Sequence, residues 1–145
     1  MKNIITGLMA VFNAAPAGVH NAFWLDIGGR LFFGDAPAGT NLSDGPYAVL
    51  LMVSDVDDDP FAGTKRDVYV QFSLFSGASS PAEILDMDAH LTALFKNVTF
   101  TVTGWTVVSM TRVNGSGPIN VPANVEDATE GYWQTDVDFE IAVNK

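Results

Sequence analysis

A small α+β domain, with two helices packed on a mostly antiparallel sheet, is the fold class predicted by three features of the 145-residue sequence. The stretches "RDVYVQFSLFS" and "YWQTDVDFEIAV" alternate apolar and polar residues, as strands with one buried face do. The stretch "SSPAEILDMDAHLTALF" carries helix-start signals followed by apolar residues at helical spacing. A chain of this length that is 48% hydrophobic and 17% charged has material for one core, so a single domain over residues 1–145 is expected.

Taken in order, Ile4, Ile5, Leu8, Met9 and Phe12 recur at helical spacing and predict an amphipathic first helix. Lys2, the apolar run and the later "APA" imitate a secretory leader, but Thr6 and Gly7 interrupt the run, and a helix of the fold is expected instead. Pro16 and Gly18 end that helix. "NAFWLDIGGRLFFG" reads as a short helical or irregular piece, a Gly28-Gly29 turn and a brief strand over Arg30 to Phe33. "DAPAGTNLSDGP" is a turn-rich loop. From Tyr47 to Val53 the run is nearly all apolar, which suits a strand buried on both faces.

The next strand places Val68, Val70, Phe72 and Leu74 on one face and Tyr69, Gln71, Ser73 and Phe75 on the other. These two strands are expected to form a hairpin connected by a long loop, residues 54–65. In the following helix Ser80 is the expected N-cap, Pro81 suits the first helical position, and Glu83 completes a capping box. Ile84, Leu91 and Leu94 with Met87 or Phe95 supply its buried stripe, while Asp86 and Asp88 point outward. The strands "VTFTV" and "TVVSMTRV" follow, joined through Thr103, Gly104 and Trp105. Residues 114–130 then form a second long loop without periodicity. In the last strand Trp133, Thr135, Val137, Phe139 and Ile141 face the core, and Gln134, Asp136, Asp138 and Glu140 form an acidic, solvated face.

Bulk charge narrows the function. Seventeen acidic residues against seven Lys plus Arg leave a formal charge of −10, the opposite of the basic footprint that holds phosphates. An anionic membrane surface is disfavoured for the same reason, and no run approaches the ~20 apolar residues that span a bilayer. With no cysteine there is neither a disulfide framework nor a thiolate metal site.

Motifs of catalysis are missing. His20 and His90 are the only imidazoles, and His90 has Asp86 four residues earlier as a surface partner. The chain contains no H-E-x-x-H, no G-x-S-x-G and no Walker A loop, and "NGSGPIN" lacks the third glycine of a dinucleotide fingerprint. The expectation is a protein that is not an enzyme and needs no cofactor. Trp24, Trp105 and Trp133 would be the natural lining of a ligand pocket, although aromatics at alternating strand positions more commonly fill a core.

"SDVDDDPF" is the densest charge cluster, with Asp55, Asp57, Asp58 and Asp59 inside five residues. Counted from Asp55 as an EF-hand loop, position six is Pro60 and position twelve is Arg66, where glycine and a bidentate glutamate are required. A solvated hairpin tip, flanked by Lys65 and Arg66, is the better reading, and no metal is assigned to it.

Several stretches taken together resemble the tail terminator (tail completion) proteins of long-tailed bacteriophages. They are "GGRLFFGDAPAGTNLSDGPYAVLLMVSD", "DVYVQFSLFSGASSPAEI", "LTALFKNVTFTVTGWTVVSMTRV" and "GYWQTDVDFEI". The similarity runs from about Gly29 to Ile141 and lies in the ordered set rather than in any one motif. The 114–130 loop departs from it. The resemblance implies a virion protein of the tail and neck, assembled in the host cytoplasm as a ring, commonly a hexamer, on the head-proximal end of the tail tube. Its partners would be further copies of itself, the tail tube protein and the neck or head–tail connector protein. DNA would pass through the ring without specific binding, and no membrane would be involved.

Under that resemblance, Asp55, Asp57, Asp58, Asp59, Lys65 and Arg66 form a candidate channel or inter-subunit loop. Asn114, Pro118, Ile119, Val121 and Val125 form a candidate ring-contact loop. The alternatives are another head–tail connector or tube ring protein, or a β-domain that binds a small ligand or carbohydrate through its tryptophans.

The reading of "DVDDDP" as a hairpin tip carries a calorimetric test. Calcium is expected neither to raise the melting temperature nor to bind stoichiometrically. Binding tighter than ~1 mM, the weak limit of extracellular calcium modules, would overturn that reading.

Overall fold

Alternation in "RDVYVQFSLFS" and "YWQTDVDFEIAV" becomes the central pair of the sheet. The computed structural model describes residues 2–57, 65–122 and 131–145. Its elements are α1 (Lys2–Asn13), α2 (Ala22–Ile27), β1 (Leu31–Phe33), β2 (Tyr47–Asp57), β3 (Lys65–Ser76), α3 (Ala82–Phe95), β4 (Phe100–Val102), β5 (Trp105–Gly115), β6 (Ile119–Val121) and β7 (Tyr132–Asn144). The sheet runs β1-β2-β3-β7-β5-β4, with β6 also paired to β7. Every pairing is antiparallel except β1 with β2. This is the α+β class the sequence predicts, with α2 as a third α-helix where a helical or irregular piece was expected. Among the described residues no helix is long and apolar enough to cross a membrane.

One face of the sheet carries the core. Val68, Val70, Phe72 and Leu74 of β3 and Val137, Phe139 and Ile141 of β7 are fully buried beneath α3, whose stripe is Ile84, Met87, Leu91 and Phe95. Ile4, Leu8 and Phe12 of α1 and Phe23 and Ile27 of α2 complete the same cluster. Gly7 is part of the reason α1 can lie against β4. A side chain there would collide with the Phe100 ring and come 2.9 Å from Val102 Cγ1.

Several local expectations give way to tertiary contacts. The structure extends β2 to Asp57 and starts β3 at Lys65, so strands occupy both ends of the 54–65 stretch. The 114–130 stretch is not all loop either: β5 reaches Gly115, and Ile119–Val121 pairs with β7. Ser116 bridges the two strands, its N–H donating to the Asp136 carbonyl at 2.9 Å and its Oγ accepting from Asp136 N–H at 3.0 Å. Tyr47–Val53 is buried on both faces only around Ala48, Val49 and Leu50, and Val53 is exposed.

The helix α3 starts one position later than its signals suggest. Pro81 occupies the cap without a side-chain bond, and Glu83 accepts from the Ser76 hydroxyl at 2.5 Å instead of closing a capping box. Ser76 is fully buried at the end of β3, so that bond satisfies a hydroxyl water cannot reach. His90 does not pair with Asp86. Its Nδ1 lies 2.6 Å from Asp26 of α2, because the packing of α2 on α3 brings a carboxylate from another element closer than the one on its own helix. Asp88, expected to point outward, forms an ion pair with Arg112 of β5, whose Nη2 donates to it at 3.0 Å while Nη1 lies 2.8 Å from its other oxygen.

The tight α1–β4 contact gives a stability test with a decided sign. Gly7→Ala gains roughly 0.8 kcal/mol of helix propensity but overpacks the contact, which typically costs 1–3 kcal/mol. The variant is expected to unfold about 1 kcal/mol more easily by urea titration. A variant more stable than the parent would mean that α1 docks loosely.

Candidate functional site

The alternation that sends one set of β3 and β7 side chains under α3 sends the other set to a face with no helix on it. By that alternation, Tyr69, Gln71, Ser73 and Phe75 of β3 stand beside Gln134, Asp136, Asp138 and Glu140 of β7. This face is not simply wet. Ser73 is buried, and Asp136 and Asp138, expected in open water, are half-buried. Their carboxylates are held by neutral donors. Gln71 Nε2 donates to Asp138 at 2.9 Å, Ser73 Oγ to Asp136 at 2.7 Å, and Asn114 Nδ2 reaches Asp138 at 3.5 Å. Among the described residues, neither carboxylate has a cation in an ion pair.

At one end of this face four aromatic rings cross the sheet. Phe32 of β1 lies 6.2 Å from Tyr47 of β2; Tyr47 stacks on Phe75 of β3 at 4.8 Å; Phe75 meets Tyr132 of β7 at 6.2 Å. The Arg30 guanidinium sits 5.8 Å from the Tyr47 ring centre and donates to the Asn41, Gly45 and Pro46 carbonyls. Burial chiefly, then the neighbouring Tyr132 and more weakly Asp35, push the Tyr47 hydroxyl above its ordinary 10.0, against the opposing pull of Arg30.

At the other end the sheet is bulged on both strands that flank the central pair, β2 and β5. The rows Met52↔Val70 and Val70↔Phe139↔Arg112 are in register, and register slips immediately after Met52 and after Arg112. The residues left between pairs are Val53 and Val113, both exposed. With Ser54, Tyr69, Val70 and Asp138 they line a depression of about 270 Å³.

The residues singled out from sequence fall into separate places. Asp55 of β2 makes a 3.4 Å ion pair with Arg66 of β3, whose guanidinium also lies 5.3 Å from the centre of the Trp105 ring. Lys65 opens β3 and is exposed; Asp57 stands opposite Arg66 in the register. Asp58, Asp59 and the side chain of Asp57 lie outside the described residues, as does Val125. Asn114 is brought onto the helix-free face by its bond to Asp138, whereas Pro118, Ile119 and Val121 lie along the β6 edge, with Ile119 exposed. The helix-free face itself was missed as a site, because its cross-strand bonds join residues more than sixty positions apart.

The tryptophans do not gather into a ligand pocket. Trp133 is near the start of β7 and Trp105 lies beside its end, at the level of Asn144. Eleven residues of strand put them roughly 35 Å apart. Trp24 is on α2, stacked on His20 at 3.7 Å. Among the described residues no group of three His, Asp or Glu side chains converges as metal ligands would. What the arrangement offers chemically is an interaction surface: an aromatic end, an anionic middle and an apolar depression.

The architecture defines an α+β domain whose sheet is covered by helices on one face. No protein-family model and no curated protein matches the chain. Among solved structures it is similar to a chain described as "Virion of native gene transfer agent (GTA) particle". The TM-score is 0.60 at 13% sequence identity, over 86% of this chain and 85% of that one. The likeness is one of fold, and it spans nearly all of both chains.

Tyr47 gives the aromatic end a pH signature. A raised folded pKa means the fold favours the neutral phenol, so its contribution to stability is whole below pH 10.0 and is lost as pH rises through the folded value. Urea unfolding between pH 9.5 and 11.5, a window spanning the ordinary tyrosine range, is expected to show a steeper loss in the parent than in Tyr47→Phe. Equal slopes would remove Tyr47 from the half-buried aromatic row.

Proposed function

We propose that this chain is a non-enzymatic structural subunit of a virion, a tail terminator that closes into a ring on the head-proximal end of the tail tube. The observation that carries the reading is the helix-free face, which holds Asp136, Asp138 and Glu140 in a row, the first two bonded by the neutral donors Ser73 and Gln71. A subunit of a ring threaded by DNA needs a wall that repels phosphate, and carboxylates held by neutral donors supply one. The fold likeness to a chain of a gene transfer agent virion supports the virion class. The ordered sequence resemblance supports the terminator role within it.

In this reading the partners are further copies of the chain, the tube protein below and the neck or connector protein above. Asp55, Asp57, Asp58, Asp59, Lys65 and Arg66 belong to the channel or to a subunit boundary. Asn114, Pro118, Ile119, Val121 and Val125 belong to a contact between neighbours. The β6 edge with its exposed Ile119 suits such a contact, because a strand edge with an exposed apolar side chain is a place where another chain can add.

Electron microscopy of purified tail tubes mixed with the protein tests the role. The expected images show one ring at one end of each tube and no further growth when tube protein is added. Decoration along the walls, or tubes that keep elongating, would sink the terminator reading. Rings that bind the portal side of emptied heads but not tubes would favour the connector alternative.

A further inference from the structure

The paired bulges form a groove that neither the anionic wall nor the core requires. Val53 and Val113 come from flanking strands separated by β3 and β7, yet both slips flank the same Val70–Phe139 pair and both valines line one depression. A bulge turns a side chain out of the alternation, and here the two of them leave large apolar groups 61% and 48% exposed on either side of Asp138. Arg112, one position before Val113, is held on the opposite face by Asp88 and Thr92. The outward turn of Val113 is thereby fixed rather than left to the strand.

We propose that this groove docks a Lys- or Arg-bearing segment of a different, more basic protein, with the aliphatic stem between Val53, Val113 and Tyr69 and the cationic head at Asp138. Charge complementarity selects that occupant. A wholly apolar side chain would cover the half-buried carboxylate with hydrocarbon and strip its remaining hydration. An acidic one would meet Asp138 with Asp136 and Glu140 on the same strand face. Long cationic side chains match both halves of the groove, because they bury their methylenes and keep their charge at the end.

A second copy of this chain is a poor donor. Of its seven Lys and Arg, Arg30, Arg66 and Arg112 are engaged with Tyr47 and backbone carbonyls, with Asp55 and Trp105, and with Asp88, which leaves the four scattered lysines Lys2, Lys65, Lys96 and Lys145 on a chain of formal charge −10. The groove shares Asp138 with the proposed channel wall, so its occupant would cover that end of the wall; a protein that fails to cap tubes would still carry the groove.

A random octapeptide library displayed on a carrier and selected on the immobilised protein tests the assignment. Counter-selection uses Val113→Arg, which places a cation and its stem in the groove from an exposed position. Enriched peptides are expected to combine Lys or Arg with aliphatic neighbours and to be lost on the counter-selecting variant. A synthetic peptide of the enriched sequence should bind Asp138→Asn at least tenfold more weakly, and Asp86→Asn, an exposed change on α3, with unchanged affinity. Circular dichroism and melting of each variant confirm that the fold is kept. Enrichment without basic residues, enrichment that survives Val113→Arg, equal weakening by Asp86→Asn, or no enrichment at all would each overturn the proposal. So would concentration-dependent self-association abolished by Val113→Arg, since it would make the occupant another copy.

Discussion

Three phenylalanines from three elements hold the architecture together. Phe72 of β3 and Phe139 of β7 meet edge to face at 5.8 Å, and Phe95 of α3 stacks on Phe72 at 5.1 Å while touching Phe139 at 6.4 Å. All three are fully buried. Each buries a large apolar area, and aromatic pairs at these separations add ~0.5–1.5 kcal/mol beyond that burial. The trio fixes which face of the β3–β7 pair lies under the helix. Everything on the other face, including the carboxylate row, follows from that choice by the alternation of the strand.

Polar contacts then orient elements that apolar packing has already brought together. Arg112 with Asp88 ties β5 to α3, His90 with Asp26 ties α2 to α3, and Ser76 with Glu83 ties the end of β3 to the start of α3. Hydrogen bonds of this kind contribute on the order of 1 kcal/mol each, less than a buried aromatic side chain. Their value is directional. Arg112 illustrates it: a fork aimed at one carboxylate leaves a single angle for β5 at the point where its register slips.

The central strands and α3 were legible because their patterns are local. Val68 to Leu74 and Val137 to Ile141 alternate without exception, and Ile84, Met87, Leu91 and Phe95 keep helical spacing, so period alone assigns them. The bulges at Val53 and Val113 were not legible, since Val53 ends an apolar run and Val113 sits between Arg112 and Asn114, and neither neighbourhood marks an unpaired residue. Ile119–Val121 was hidden in a glycine-rich stretch because three residues are too few to show a period. The partners of His90 and Asp88 lay beyond reach for another reason: Asp86 offered His90 a local partner, Asp88 read as solvated, and only tertiary packing brings Asp26 and Arg112 close. The acidic side of β7 was recognised as acidic, but its half-burial depends on Gln71 and Ser73 of a strand more than sixty residues away.

The two-faced β7 also determines where the chain tolerates a change of length. A slip of one residue along β3 would put Asp136, Asp138 and Glu140 under α3 and turn Val137, Phe139 and Ile141 outward. Burying three carboxylates without partners is far costlier than any loss at a surface turn, so misaligned pairings of β3 with β7 are driven off during folding. The flanking strands β2 and β5 each already accommodate extra residues at bulges. Insertions and deletions in descendants of this sequence should therefore accumulate at the margins of the sheet, while the spacing within its middle pair stays constant however far the side chains diverge.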